Sequence, residues 1–179
     1  MLEAEVRSTV GWHAAQLGDY DTAHHHCTQA LALQRRHHDR DGEAHTLDSL
    51  GYIDHHTGNH HQAIRHYRQA LTLLRSLGHT TETANTLDVL GHPHAALGHH
   101  AQARAVWQEA LELYRDQGRD TDAERVRRHL DDTRRQPFQR PGTLPAGLSS
   151  KPDELGGQAV QSRRRVTPTS CRRAAVRAA

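Results

Sequence analysis

A repeat of period 40 is the feature that most constrains the fold of this chain, and it runs from position 1 to about position 135. Small residues and leucines stand in register in three successive units. The aligned columns are Gly11, Gly51 and Gly91; Gly18, Gly58 and Gly98; Ala23, Ala63 and Ala103; Ala30, Ala70 and Ala110; Leu31, Leu71 and Leu111; and Leu33, Leu73 and Leu113. Such periodicity indicates a repeat architecture, in which each unit buries its apolar face against its neighbours.

Each unit contains two amphipathic stretches separated by a glycine. Apolar residues recur at helical spacing in these stretches, as in Ala63, Ile64, Tyr67 and Leu71, and this spacing predicts helices. A further stretch opens with Thr121 and Glu124, the pattern of a capping box. We therefore predict an all-α solenoid with repeats at about 1–40, 41–80 and 81–120, and with helices at about 3–17, 20–38, 42–56, 60–77, 81–96, 100–117 and, as a capping helix, 121–134.

The recurring small residues have structural roles in this interpretation. Gly11 and its two equivalents remove a side chain where the paired helix crosses, and the alanine column beginning at Ala23 permits close approach. Gly18 and its equivalents are expected to adopt a positive φ in the turn between the helices. Pro93 falls inside the fifth predicted helix and predicts a bend there.

The composition changes sharply after residue 135. Residues 1–135 carry a net charge of −4, whereas residues 136–179 carry +6 and hold five of the six prolines. Such a segment buries too little apolar surface to offset its conformational entropy. We predict a solenoid domain over residues 1–135 and a disordered basic tail over residues 136–179.

Composition and missing motifs exclude several classes of protein. The chain has only 4% aromatic residues, too few to fill a sandwich or barrel, and no apolar run long enough to span a membrane. Two cysteines without a metal or redox motif favour a reducing compartment, so we expect a soluble cytoplasmic protein. No phosphate-binding loop, zinc-protease motif or serine-hydrolase motif occurs, so we expect no catalytic residues, no enzymatic activity and no cofactor.

The repeat units resemble a known family. Unit two reads Leu50-Gly51, Gly58, Ala63, Tyr67 and Ala70-Leu71, and unit three repeats this pattern through Trp107. The pattern is similar to the tetratricopeptide repeat, although the period is longer here than in the commoner form of that repeat. The string 46–52 and the string 30–33 also resemble the C-terminal repeat region of actinobacterial transcription regulators of the antibiotic-regulatory type. Those regulators carry a winged-helix domain and a bacterial activation domain, and neither fits in this chain.

The resemblance implies a non-enzymatic module that binds a protein or peptide. In tetratricopeptide solenoids the first helix of each pair lines the concave face. The family's contact positions then fall on Glu5, Ser8, Trp12 and Ala15; on His45, Asp48, Tyr52 and His55; and on Asn85, Asp88, His92 and Ala95. Of these we predict a partner-binding site formed by Trp12, His45, Asp48, Tyr52, His55, Asn85, Asp88 and His92. Trp12, Tyr52 and His92 form one column, which suits an apolar or aromatic anchor, and Asp48 and Asp88 favour basic groups.

The 18 histidines raise the question of a metal site. They cluster near the predicted turns, as in His55-His56 and His60-His61, but the turn at Gly58 separates His56 from His60. Without a cysteine partner or a carboxylate pair, we interpret these residues as solvated turn histidines and predict no metal site.

Two alternative functions remain open at this stage. The chain can be the detached C-terminal regulatory segment of a transcription regulator, or an accessory protein that binds nucleic acid through the arginine clusters 163–165 and 172–173. Phe138 is the only aromatic residue after residue 135, so nucleic acid is not the expected partner. The first helix also leaves Leu2, Val6 and Val10 without a preceding repeat, which predicts self-association through this face or the loss of preceding repeats.

Overall fold

The computed structural model describes residues 2–135, and every regular element in this range is an α-helix. The helices are α1 (Leu2–Gln16), α2 (Tyr20–Arg36), α3 (Arg40–His56), α4 (His60–Leu77), α5 (Thr80–Ala96), α6 (His100–Asp116) and α7 (Asp120–Arg135). These bounds agree closely with those predicted from the periodicity. The all-α prediction is thus confirmed for this part of the chain, whereas the predicted tail of residues 136–179 lies outside the described residues.

The turns recur at half the repeat period, so they include the connections between repeats. Gly18, Gly58 and Gly98 have φ angles of 80°, 81° and 72°, as predicted for the turns inside the hairpins. Gly78 and Gly118 play the same part between repeats, and His38 occupies the corresponding position after α2 with a φ of 57°. A positive φ is costly for a residue that has a Cβ atom, so the glycines lower the free energy of these tight turns.

The paired helices cross at the predicted glycine column. A Cβ atom at Gly51 would lie 2.7 Å from the ring of Tyr67, and one at Gly11 would lie 2.6 Å from Sγ of Cys27. Gly91 faces the ring of Trp107 in the same way. The side chain that fills this crossing therefore grows along the solenoid, from cysteine to tyrosine to tryptophan.

The odd-numbered helices contact one another directly from repeat to repeat. Two hydrogen bonds join them at equivalent positions: Ser8 Oγ lies 3.0 Å from Thr46 Oγ1, and the Thr86 hydroxyl donates to Asp48 Oδ1 at 2.7 Å. We call the surface formed by α1, α3, α5 and α7 the odd-helix face. All eight predicted binding residues lie on these helices.

The two ends of the described solenoid differ in polarity. At the N-terminal end Leu2, Val6 and Val10 are 74%, 53% and 41% exposed. At the other end, α7 buries Val126 and Leu130 and presents charged residues outward. None of the helices in residues 2–135 combines the length and the apolar character that a membrane crossing requires.

Helix α5 continues through Pro93 to Ala96. The ring of Pro93 is fully buried, and its carbonyl accepts a hydrogen bond from the Leu97 amide at 3.2 Å. The proline therefore lies in the last turn of the helix, where only the carbonyl of Val89 loses its helical donor.

Candidate partner-binding face

The predicted ring column is present as a chain of contacts, but its third member joins indirectly. The rings of Trp12 and Tyr52 meet edge to face, with centroids 5.4 Å apart. The ring of His92 contacts that of His55, with centroids 6.1 Å apart, and not that of Tyr52. Tyr52, His55 and His92 line a cavity of about 320 Å³ together with His56, Tyr67 and Val89.

The first half of the odd-helix face is open. A cavity of about 330 Å³ lies between α1 and α3 and is lined by Ser8, Thr9, Trp12, His45, Asp48 and Ser49. A second cavity of about 240 Å³ shares His45 and Asp48 and continues along α3 to Asn85 and Thr86 on α5. We call the surface around these two cavities the open half. Trp12, at 37% exposed, is its large apolar side chain.

Asp48 lies between the two cavities of the open half. It is half-buried, and burial raises the pKa of its carboxyl group, although the hydrogen bond from Thr86 and the nearby His45 act in the opposite direction. A carboxylate that is incompletely solvated gains more from an added cation than a fully hydrated one. The open half thus combines an exposed indole ring with a carboxylate that has one charge-neutral hydrogen-bond partner.

Residues of α6, of α7 and of the turn between them contact the second half of the odd-helix face, where Asp88 is buried and Asn85 stays exposed. Oδ2 of Asp88 accepts hydrogen bonds from Arg125, at 2.7 Å and 3.3 Å, and from the Tyr114 hydroxyl at 3.4 Å. Oδ1 of Asn85 accepts from Arg119 at 2.9 Å and from Tyr114 at 3.2 Å. We call the surface of Asp88 and His92 with these covering residues the closed half. Asn85 lies at its border with the open half, whose second cavity it also lines.

This arrangement changes the role expected for Asp88. Asp88 was expected to attract basic groups of a partner, but it is 4% exposed and already holds a cation of its own chain. Arg125, on the capping helix α7, is that cation. Of the two predicted aspartates, Asp48 is therefore the one open to a partner, and Asp88 supports the packing of α7.

The ring of His92 packs within the closed half. Its centroid lies 5.6 Å from Trp107 and 4.9 Å from His129, and His129 stacks on Trp107 at 5.3 Å. Burial lowers the pKa of His92, and the neighbouring His129 lowers it further, although Asp88 raises it. His92 is therefore part of a packed ring cluster, and the residue is half-buried.

Sequence reasoning did not identify His129, Arg125 and Trp107 as members of this face. Trp107 was assigned to the repeat pattern alone, and its Nε1 donates to the backbone carbonyl of Asp88 at 2.9 Å. The sequence contains one signal for this cluster: Asp88 and His92 are four residues apart, so their side chains share one side of α5.

The turn histidines do not all have the solvated environment that was expected. Nδ1 of His55 lies 3.3 Å from Nδ1 of His60 across the turn at Gly58, so this turn joins His60 to His55 and not to His56. Burial, with smaller contributions from His56, His60 and His92, lowers the pKa of His55 to about 4. His56, His61 and His99 are exposed, as predicted.

Two groups that serve as nucleophiles in other proteins are held inert here. Burial raises the pKa of the Cys27 thiol to about 11 and that of Tyr114 to about 12. Both therefore keep their protons at neutral pH.

Comparison with known proteins gives the family of the chain. A tetratricopeptide repeat model matches residues 2–76 and again residues 42–116. The chain belongs to the tetratricopeptide repeat family. Proteins of this family generally mediate protein–protein interactions and are typically non-enzymatic scaffolds, so the coarse function of this tetratricopeptide repeat protein is protein binding.

A solved structure with a similar fold is that of BtubC (BKLC) from P. vanneervenii. It is 16% identical to this chain with a TM-score of 0.58, and the match covers 85% of this chain and 71% of BtubC. At this identity the likeness shows the helical-repeat fold alone. A search of curated proteins found no match. The resemblance to actinobacterial regulators is not tested by these comparisons and stays a prediction.

Proposed function

We propose that this tetratricopeptide repeat protein binds a peptide segment of a partner protein in the open half of its odd-helix face. The observation that carries the proposal is the cavity of about 330 Å³ whose lining includes both the exposed Trp12 and Asp48. Indole rings beside a groove are typical anchors for apolar or aromatic side chains. Asp48 adds a preference for a cationic group next to that anchor.

The other predicted residues of the open half extend the site. Tyr52 supports the ring of Trp12 by edge-to-face contact, and His45 lines both cavities beside Asp48. The hydroxyl groups of Ser8 and Thr9 offer hydrogen bonds to a peptide backbone. His55 lies at the border with the closed half and lengthens the groove.

Asn85, Asp88 and His92 have a different part in this proposal. Oδ1 of Asn85 and Oδ2 of Asp88 accept hydrogen bonds from α6, from α7 and from the turn between them. His92 packs on rings of the same two helices, so these residues help to fix the shape of the solenoid beside the groove. Asp88 and His92 do not contact the partner directly in this proposal, whereas Asn85 also lines the second cavity of the open half. The preferred ligand is therefore a short segment with one apolar or aromatic residue near one lysine or arginine, bound mainly by α1 and α3.

Selection from a random peptide library displayed on phage, with the full-length chain as bait, would test the proposal. The selected peptides are expected to pair a basic residue with an apolar or aromatic one. For such a peptide, Trp12→Ala should weaken binding measured by calorimetry by about 2 kcal/mol, roughly 30-fold. Circular dichroism of the variant would establish that the helices are retained.

The role of Asp48 is tested by a double-mutant cycle. Asp48→Asn should weaken binding of the selected peptide, and it should have little effect once the basic residue of the peptide is replaced by glutamine. The control is His61→Ala combined with His99→Ala, which alters exposed histidines of the histidine-rich turns. An equal loss of binding in this control, or no loss in Trp12→Ala, would contradict the proposal.

A further inference from the structure

Asp88 and two histidines meet at the junction of α5 and α7. One ligand atom from each of Asp88, His92 and His129 lies within 4.8 Å of the other two. Two imidazole nitrogens and one carboxylate oxygen are a common ligand set for Zn²⁺ and similar ions, which retain a fourth position for water. Asp88 and His92 come from successive turns of one helix, and His129 comes from α7.

The carboxylate of Asp88 has an oxygen without a partner. Its Oδ2 atom binds Arg125 and Tyr114, but its Oδ1 atom is buried and makes no hydrogen bond within the described residues. A buried polar atom without a partner is costly, and an ion is one of the recognised explanations. Because Oδ2 is occupied, Oδ1 is the oxygen available to a metal ion.

The repeat pattern explains why this oxygen lacks a partner at this junction. Residue 8 meets Thr46, and residue 48 meets Thr86, in each case 38 positions further along the chain. The corresponding partner of Asp88 is residue 126, which is a fully buried valine and has no donor. The last junction of the repeats therefore replaces a hydroxyl donor with an apolar side chain, and in the same place adds His129.

We propose that Asp88, His92 and His129 bind a divalent transition-metal ion at the junction of α5 and α7. The groups around the ligands suit this role. Arg125 and Tyr114 orient the carboxylate through Oδ2, and Trp107 packs against both imidazole rings. Such supporting contacts reduce the freedom that the ligands lose when an ion binds.

The local charge balance selects the class of ion. Asp88 and Asp122 share Arg125, and Arg119 also pairs with Asp122 at 2.7 Å, so two carboxylates face two guanidinium groups. With no net negative charge, the affinity must come from coordination bonds to nitrogen. This favours Zn²⁺, Co²⁺ or Ni²⁺ over Ca²⁺ and Mg²⁺, which prefer oxygen ligands.

The chain has a second group of possible ligands, which provides a matched control. Asp41, His45 and His79 also place ligand atoms within 4.8 Å of one another. Asp41 and His45 are exposed, and their contacts are loose: His45 Nε2 lies 3.8 Å from the Asp41 carboxylate and His79 Nδ1 lies 3.3 Å from it. Binding at this exposed group is thus the alternative to be separated experimentally.

Trp107 lies beside the proposed metal site, so its fluorescence can report the binding of an ion. The chain has two tryptophans, so the full-length variant Trp12→Phe reports on Trp107 alone. Titration with Co²⁺ is expected to quench its fluorescence, and Mg²⁺ is expected to leave it unchanged. In this background His129→Asn and His92→Asn should each weaken the binding of Co²⁺ at least tenfold, and His79→Asn should leave it unchanged.

Two outcomes would overturn the proposal. They are the absence of saturable quenching and quenching that survives His129→Asn but is lost in His79→Asn. If a variant fails to fold, anomalous diffraction from crystals of the unaltered chain grown with Zn²⁺ decides the question. A peak between Asp88, His92 and His129 is expected, and a peak confined to the Asp41 group or no peak would contradict the assignment.

Discussion

The open and closed halves of the odd-helix face occupy equivalent positions in the repeat but differ in what the next helix brings to them. Ser8, Asp48 and Asp88 stand in register in the three units, yet only Asp88 is covered by an arginine. At the position of Arg125, the preceding repeats have Asn85 and His45. Whether a carboxylate on this face is available to a partner is therefore decided by a residue of the following repeat unit.

The two halves also differ in the position of their large side chains. Trp107 fills the crossing at Gly91 and is 3% exposed, whereas the crossing at Gly11 holds only Cys27. Trp12 lies outside that crossing, on the exposed surface of α1. The solenoid thus buries one tryptophan in its interior and leaves the other exposed.

The largest expected effect separates these two tryptophans. Trp107→Ala should lower the free energy of unfolding by about 3–5 kcal/mol, because it leaves a cavity and removes the bond to the Asp88 carbonyl. Trp12→Ala should lower it by about 1 kcal/mol, the value of an edge-to-face contact with Tyr52. Urea unfolding followed by circular dichroism measures both. Equal losses would show that Trp12 is a core residue and not a surface anchor.

The next test compares the two aspartates, whose substitutions should change the free energy of unfolding in opposite directions. Asp88→Asn should destabilise the fold by about 1–3 kcal/mol, because the buried carboxylate of Asp88 loses its ion pair with the half-exposed Arg125. Asp48→Asn should stabilise it at neutral pH by up to about 1 kcal/mol, because burial disfavours the charged carboxylate and the amide oxygen still accepts from Thr86. Unfolding in the presence of a chelator keeps metal binding out of the comparison. Destabilisation by both substitutions to the same extent would show that the two halves are equally closed.

His55, at the border of the two halves, is expected to make the free energy of unfolding depend on pH. The folded-state pKa of His55 is lowered to about 4, so its contribution to stability is present above about 6.5 and is lost as the pH falls towards 4. His55→Gln should reduce this loss by roughly 1 kcal/mol, less than a fully buried ring would give. The measurement is urea unfolding at pH 7 and pH 5, with the exposed His61→Gln as control. His94, whose pKa is also lowered to about 4, keeps part of the dependence in the variant.

The period of the sequence predicts the helices well but the site only in part. Gly18, Gly58 and Gly98 mark the turns because a positive φ favours glycine whatever surrounds it, and the helix bounds follow from that local preference. The ion pair of Asp88 and the missing partner of its Oδ1 atom depend on Arg125 and on Val126, which lie in another helix. Such pairings require the angle and register at which α5 and α7 pack, and no single repeat unit contains that information. The sequence analysis also assigned His60 no partner, although His55 lies across the turn from it.

The smallest expected effect concerns the two ends of the solenoid. Leu2, Val6 and Val10 line a hollow of about 400 Å³ with Glu3 and Arg7 at its border, whereas α7 at the opposite end is polar. Exposed apolar patches of this kind are typical of interfaces, so we expect weak self-association of the full-length chain at about tens of micromolar. Sedimentation velocity over a concentration series measures it, and Val6→Glu should shift the distribution to monomer. Ala101→Glu places the same charge on the exposed start of α6 and should leave association unchanged. A monomer that persists at high concentration, in the unaltered chain as well as in Val6→Glu, would contradict self-association through this end.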